Sequence, residues 1–274
     1  MNSRRVPFLF LMLTIAATAA MIGCRMSPLD PKVELATGHS SGELRAPVEQ
    51  PAQEPIFTEP GRHRAEIFPP KSNPHGASYG EWSAKWWQWA FSFRADAHPL
   101  LDTAPCDAGQ TGRVWFLGGS FINTTVVRNC TVPAGVAILF PVLNTECSTF
   151  EGPPFHGDNE AELRACAAAV TNTGMFATID GVAVQNLSRY RVQSPLYQFS
   201  APDGGLFGVP VTDAKSVSDG VWLMLAPLSA NRTHTIHFGG TQTAGDFPPL
   251  TLDVTYNITV VPGRKGGGRD HDDE

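Results

Sequence analysis

The stretch Thr251-Leu252-Asp253-Val254-Thr255-Tyr256-Asn257-Ile258-Thr259-Val260-Val261 alternates without a break. Leu252, Val254, Tyr256, Ile258 and Val260 fall on one side, with Thr251, Asp253, Thr255, Asn257 and Thr259 on the other. A period of two over this length predicts a half-buried antiparallel strand, apolar face inward. Working outward, residues 176–179 and 182–187 are apolar runs joined by Asp180-Gly181, a strong hairpin signal. Val221-Trp222-Leu223-Met224-Leu225-Ala226 is apolar throughout, which suits a central strand buried on both faces. Further strand-like segments lie at 114–117, 136–142, 190–192 and 233–238, punctuated by Pro-Ala-Gly, Pro-Asp-Gly and Ser-Asp-Gly turns. The expected fold is mainly β, an antiparallel β-sandwich of jelly-roll-like kind.

Two helices interrupt the strands. Ser78-Tyr79-Gly80-Glu81 reads as a capping box, with Ser78 capping the first turn and Glu81 reaching back. The helix continues Trp82-Ser83-Ala84-Lys85-Trp86-Trp87-Gln88-Trp89-Ala90-Phe91-Ser92-Phe93. Trp82, Trp86, Trp89 and Phe93 form one stripe at helical spacing, which predicts packing onto a sheet. Trp87 and Phe91 lie four apart on the other side. Either the helix is held between two layers, or these rings form an accessible platform of the kind glycans and peptides stack on. The second, shorter helix is expected over residues 159–170, N-capped by Asp158 and carrying Cys166.

The ends read differently. Arg4 and Arg5 precede an apolar run over residues 7–22 that is too short to span a bilayer, and Met21-Ile22-Gly23-Cys24 follows. This predicts a signal peptide over 1–23 and lipidation of Cys24. The alternative is ordinary cleavage near Ala17-Thr18-Ala19, which gives a periplasmic or secreted protein. Residues 24–70 are polar and proline-rich, a disordered tether. Residues 71–262 form a single domain, and 263–274 a disordered tail. Without residues 1–23 the formal net charge goes from −6 to −8, which argues against a nucleic-acid partner. The expected partner at the amino terminus is a membrane, reached through the lipid.

There are five cysteines. With Cys24 lipidated, four remain for disulfides in an oxidising compartment. Of three possible connectivities, Cys106–Cys130 and Cys147–Cys166 close the short local loops and are favoured. The spacings do not resemble a zinc site.

Chemistry-bearing residues are few. Asn144, Glu146, Glu151, His156 and Asp158 crowd one disulfide-pinned loop, an acid/base or cation-binding arrangement that lacks calcium-loop spacing. Arg189 and Arg191 are expected on one face of one strand, where two guanidinium groups can grip a carboxylate or sulfate. His234 and His237 sit three apart on an apparent strand, hence on opposite faces, and are rejected as paired metal ligands. No hydrolase-type serine motif, phosphate-cradling loop or dinucleotide fingerprint is present, and neither metal nor cofactor is expected.

The runs Tyr79-Gly80-Glu81-Trp82-Ser83-Ala84-Lys85-Trp86-Trp87-Gln88-Trp89, Val114-Trp115-Phe116-Leu117, Phe140-Pro141-Val142-Leu143-Asn144-Thr145-Glu146, Ser218-Asp219-Gly220 and His234-Thr235-Ile236-His237-Phe238-Gly239-Gly240 resemble a group of uncharacterised exported bacterial proteins. The resemblance implies one export-competent domain and no particular chemistry. The combined expectation is a non-catalytic lipoprotein of the cell envelope that binds a glycan or peptide through aromatic residues. Candidate contacts are Trp87, Phe91, Tyr79, Glu81, Asn144, Glu146, Arg189 and Arg191. The alternatives are a secreted hydrolase using Glu81 or the 144–158 acids, and a structural surface protein without a ligand.

Overall fold

The computed structural model describes residues 65–262, Ile122 excepted. The expected signal, Cys24, nearly all of the tether and the tail lie outside the described residues. The strands are β1 (Val114–Phe116), β2 (Thr125–Pro133), β3 (Ala137–Ser148), β4 (Thr171–Ile179), β5 (Val182–Ala183), β6 (Arg191–Gln193), β7 (Tyr197–Ala201), β8 (Val211–Leu225), β9 (Thr233–Thr243) and β10 (Leu250–Val261). The helices are α1 (Tyr79–Phe91) and α2 (Glu160–Ala169), with four short 3-10 turns besides.

The strands form two five-stranded sheets. The first runs β1-β3-β8-β6, with β7 also paired to β8; the second runs β2-β10-β9-β4-β5. Leu252, Val254, Tyr256, Ile258 and Val260 of β10 are all buried, as the alternation demands. Val254, Tyr256, Ile258 and Val260 meet residues of the first sheet in one apolar layer, where Phe140 and Phe238 lie 4.8 Å apart between ring centres. The first sheet turns its other face to α1, where Leu139, Trp222 and Met224 pack with Trp86 and Trp89. The paired strands β3 and β8 therefore lose water on both sides. That is why 221–226 is continuously apolar and β10 is not.

Two pairings correct the expectation of a wholly antiparallel arrangement. β1 runs parallel to β3, and β2 runs parallel to β10 from Thr125↔Asp253 to Pro133↔Val261. Parallel neighbours need a long crossover. The chain supplies one by leaving the first sheet after β1, adding β2 to the second, and returning as β3. Short-range turn signals carry no information about such pairs. The fold also begins before residue 71: Ile67 bridges Leu225, and Phe68 N donates to Met224 O at 2.9 Å. Residues 65–70 thus belong to the domain and not to the tether.

One local signal misled: Ser218-Asp219-Gly220, expected as a turn, lies inside β8 and pairs with residues 144–146, because neighbours on both sides hold it extended. Other local signals were better guides. Asp180 and Gly181 both take positive φ (51° and 77°), as a tight hairpin requires, and join Ile179 to Val182. The Asp180 carboxylate then accepts hydrogen bonds from Thr235 N and the Arg232 guanidinium. In α2 the cap is Asn159 and not Asp158. Asn159 Oδ1 accepts from Glu162 N at 3.1 Å, because the acid three residues on favours that register. Both expected disulfides, Cys106–Cys130 and Cys147–Cys166, are present, and the second ties α2 to the end of β3. Two disulfides suit a compartment outside the reducing cytosol. Among the described residues no helix is long and apolar enough to cross a membrane.

Trp86 is 1% exposed and packs within 6 Å of Trp87, Trp89 and Trp222. Trp86→Ala is expected to cost about 3–5 kcal/mol, seen as a lower urea midpoint with an unchanged slope.

Candidate functional site

The helix α1 starts from a complete capping box. Ser78 Oγ accepts from Glu81 N, and Glu81 Oε2 accepts from Ser78 N at 2.7 Å and from Ser78 Oγ at 2.8 Å. These bonds from Ser78 hold the Glu81 carboxyl below its ordinary pKa. Glu81 is therefore engaged in helix initiation, and it does not line the crevice described below. Tyr79 is likewise structural. It is 1% exposed, its hydroxyl donates to Phe68 O (2.8 Å) and accepts from Met224 N (3.2 Å), and burial raises its pKa.

Trp87 and Phe91 are buried as well, so no exposed aromatic platform exists at these two rings. Phe91 packs against Phe199 of β7 (4.3 Å) and Phe207 (5.1 Å). The helix lies between two layers, the arrangement its two-sided aromatic pattern allowed. The covering residues are over a hundred positions away in sequence, which is why local reading left both options open.

Trp87 differs from its neighbours on α1. Trp82, Trp86 and Trp89 donate their indole N–H to the carbonyls of Pro74, Leu117 and Ala108 at 2.8, 2.9 and 3.2 Å. Trp87 Nε1 is buried with no hydrogen-bond partner among the described residues. Trp115 and Trp222 share that condition. Trp87 lines a small crevice together with Asn144, whose Oδ1 is likewise buried without a partner.

That crevice is small, about 30 Å³, with room for a water or one hydroxyl group. Trp86 and Trp87 line it from α1, Leu100 and Phe121 from the loops, Asn144 from β3, and Leu252 from β10. Gly119, Ser120, Gln242 and Leu250 complete the lining, so no ionisable side chain does. Asn144 is admitted by Gly220 opposite, where an added Cβ would fall 2.4 Å from the Asn144 Cβ. The wall at residues 118–121 is pinned from behind. Arg128 Nη1 donates to the carbonyls of Gly118 and Gly119 (both 2.9 Å), Tyr256 hydroxyl donates to Gly118 O (2.9 Å), and Asp102 holds Arg128 Nε. Leu100, Phe121, Gln242, Leu250 and Leu252 escaped sequence reasoning because they converge from four separated segments with no motif among them.

The acidic loop is brought together only in part. Glu146 is buried at the end of β3, and the half-buried Glu151 curls back to where the charge of Glu146 acts on it. Ser216 Oγ donates to Glu146 and lies 3.0 Å from the Tyr197 hydroxyl; Ser148 Oγ donates to Glu151 at 2.9 Å. Burial raises the Glu146 pKa, and burial followed by the charge of Glu146 raises that of Glu151 well above the ordinary carboxylate range. His156 does not join them but contacts Asp158 at 3.0 Å.

The arginine pair is also corrected. Arg189 lies in the 3-10 turn Leu187–Tyr190, while Arg191 opens β6 and donates to Asp219 at 2.7 Å. They share no strand face, because Asn186 at φ 56° starts a turn where a continuous strand was expected. His234 and His237 do point to opposite faces, held by Asp180 (2.8 Å) and Asp253 (2.7 Å). Among the described residues no group of three or more His, Cys, Asp or Glu is arranged to hold a metal ion. No family model, curated protein or solved structure matches this chain.

Trp87→Phe breaks no protein hydrogen bond, whereas Trp86→Phe strands the Leu117 carbonyl. The Trp86 variant is expected to be less stable than the Trp87 variant by about 1–2 kcal/mol in chemical denaturation.

Proposed function

We propose that this chain is an exported, non-catalytic binding protein that takes a hydroxyl-bearing ligand, a glycan, at the Trp87–Asn144 crevice. The observation that carries this reading is that two residues lining one cavity, Trp87 and Asn144, each hold a buried polar atom without a partner, a donor on one and an acceptor on the other. Leaving such groups unsatisfied costs about 1–3 kcal/mol each. A ligand that satisfies both recovers that cost on binding. One hydroxyl accepts from an indole N–H and donates to an amide oxygen through the same atom, so it suits a cavity of this size. A peptide group needs two separate atoms, C=O and N–H, to do the same. A charged group would lose its hydration with no counter-charge in the lining.

In this reading the scaffold is a jelly-roll-like sandwich, supported by a chain that changes sheet after β1, β2, β3, β5 and β8. A lipid on Cys24 anchors it to the envelope membrane, and the stretch between lipid and domain is the tether. Intact mass of the mature protein is expected to show a diacylglyceryl-modified Cys24 terminus; an unmodified start near Ala20 would remove the anchor and leave a free exported protein.

Titration with neutral oligosaccharides is expected to shift tryptophan emission, with Trp87→Phe and Asn144→Ala each weakening binding at least about tenfold, the loss of one hydrogen bond. No response to any oligosaccharide, or variants that bind like the parent, would sink the reading. A second reading, hydrolysis by the Glu146–Glu151 pair, is favoured by the action of the Glu146 charge on Glu151. It predicts turnover of a glycan that both Glu146→Gln and Glu151→Gln abolish.

A further inference from the structure

Among the described residues the large apolar side chains left exposed are Phe121, Val127, Phe150 and Val209. Lone exposed apolar residues are ordinary on a protein surface, so place and support decide whether one matters. Phe121 differs from the other three in place, because it lines the Trp87–Asn144 crevice. The lining divides by burial. Trp87 and its deeper neighbours are buried, whereas Phe121 is 37% exposed and Asn144, Gln242 and Leu250 are half-buried. These four reach solvent and form the rim.

Phe121 is also supported. Its N–H donates to Leu100 O at 3.2 Å. Just ahead of it, Arg128 Nη1 holds the carbonyls of Gly118 and Gly119, both at 2.9 Å. Just beyond it, Asn123 Oδ1 accepts from Thr251 N at 2.8 Å and ties the loop to β10. An aromatic ring on a fastened backbone gives up little freedom when a ligand settles on it, whereas one on a loose loop must be ordered first. Across the rim, Gln242 Nε2 donates to Asn172 Oδ1 at 3.0 Å, which fixes that amide as well.

We propose that Phe121 is a stacking platform, and that the crevice takes a neutral pyranose whose C–H face lies on this ring while one hydroxyl enters beside Trp87 and Asn144. The proposal rests on the glycan reading above and adds the shape of the sugar to it. A cavity of about 30 Å³ admits one hydroxyl and little more, so the rest of the ligand lies at the rim. There it meets two apolar side chains, Phe121 and Leu250, and two amides, Asn144 and Gln242. A pyranose carries hydroxyls around its edge and C–H bonds on its faces, so one ring serves both kinds of neighbour. Its C–H hydrogens are the positive ends of their dipoles, and the face of an aromatic ring is negative. An alkyl alcohol would cover the apolar pair and offer nothing to the amides. A linear polyol would serve the amides and present no face to Phe121.

The test titrates neutral tetrasaccharides of glucose, mannose, galactose and N-acetylglucosamine into the parent and three variants, Phe121→Ala, Phe121→Leu and Phe121→Tyr. Because the side chain is exposed, all three are expected to keep the parent's urea midpoint. Leucine keeps apolar bulk without a ring, and tyrosine keeps the ring. For the tetrasaccharide that binds the parent most tightly, the alanine and leucine variants are expected to bind at least about fivefold more weakly, and the tyrosine variant within about twofold. Saturation-transfer NMR of the parent complex is expected to favour the C–H protons of one ring face over the other, an asymmetry that Phe121→Ala abolishes. Alanine and leucine variants that bind like the parent, while Trp87→Phe and Asn144→Ala still weaken binding, would overturn the platform and leave the glycan reading standing. Equal losses in the tyrosine and alanine variants would also overturn it. A parent that binds none of the tetrasaccharides would remove the glycan reading and the platform with it.

Discussion

β3 and β8 are paired antiparallel from Ile138↔Leu225 to Ser148↔Ser216, and neither strand has a face toward water over most of that length. One side of the pair packs the second sheet, the other packs α1. Burying a Leu, Val or Phe side chain fully contributes about 1.5–3 kcal/mol, so two faces of large side chains form the main store of stability here. The constraint works in both directions. The pair can be covered on both faces only if α1 is itself apolar around most of its circumference, which explains four tryptophans and two phenylalanines within thirteen residues and the two that follow.

Toward its far end the pair turns polar without becoming exposed. Glu146, Ser148, Ser216 and Ser218 are all buried, and Asn144 has a buried side-chain oxygen. Buried polar groups must find partners or remain a cost. Most do find them: Ser218 Oγ meets Ser83 Oγ at 3.1 Å, and Ser216 serves Glu146 and Tyr197. Asn144 is the exception, two residues from Glu146. The crevice and the buried Glu146 thus arise from one short segment in which the core carries polar groups.

How much of this could be read beforehand follows the range of the interactions. The carboxyl-terminal end of β8, the strand β10, the 180–181 hairpin and the capping box at Ser78 are set by neighbours in sequence, and their residues announce them, whereas the first ten residues of β8 do not. The two disulfides follow from a preference for short loops. The approach of Glu151 to Glu146 was foreshadowed by acids crowded into one loop, although His156 and Asp158 form a separate pair. What stayed hidden was long-range: the parallel placement of β2 beside β10, the covering of Phe91 by Phe199 and Phe207, and the meeting of residues 100, 121, 144, 242 and 252. Glu81 was visible in two roles at once, and its bonds to Ser78 establish the capping role.

The amino-terminal edge of the domain has a mechanical consequence. Residues 66–68 are laid against the end of β8 by two hydrogen bonds, Ala226 N to Glu66 O and Phe68 N to Met224 O, which together make the bridge of Ile67 to Leu225. The Tyr79 hydroxyl stitches the same place by joining Phe68 O to Met224 N. Tension applied to the chain ahead of residue 65 is therefore met first by these two bonds and the Tyr79 hydroxyl, and passes through them to β8, a strand gripped on both faces.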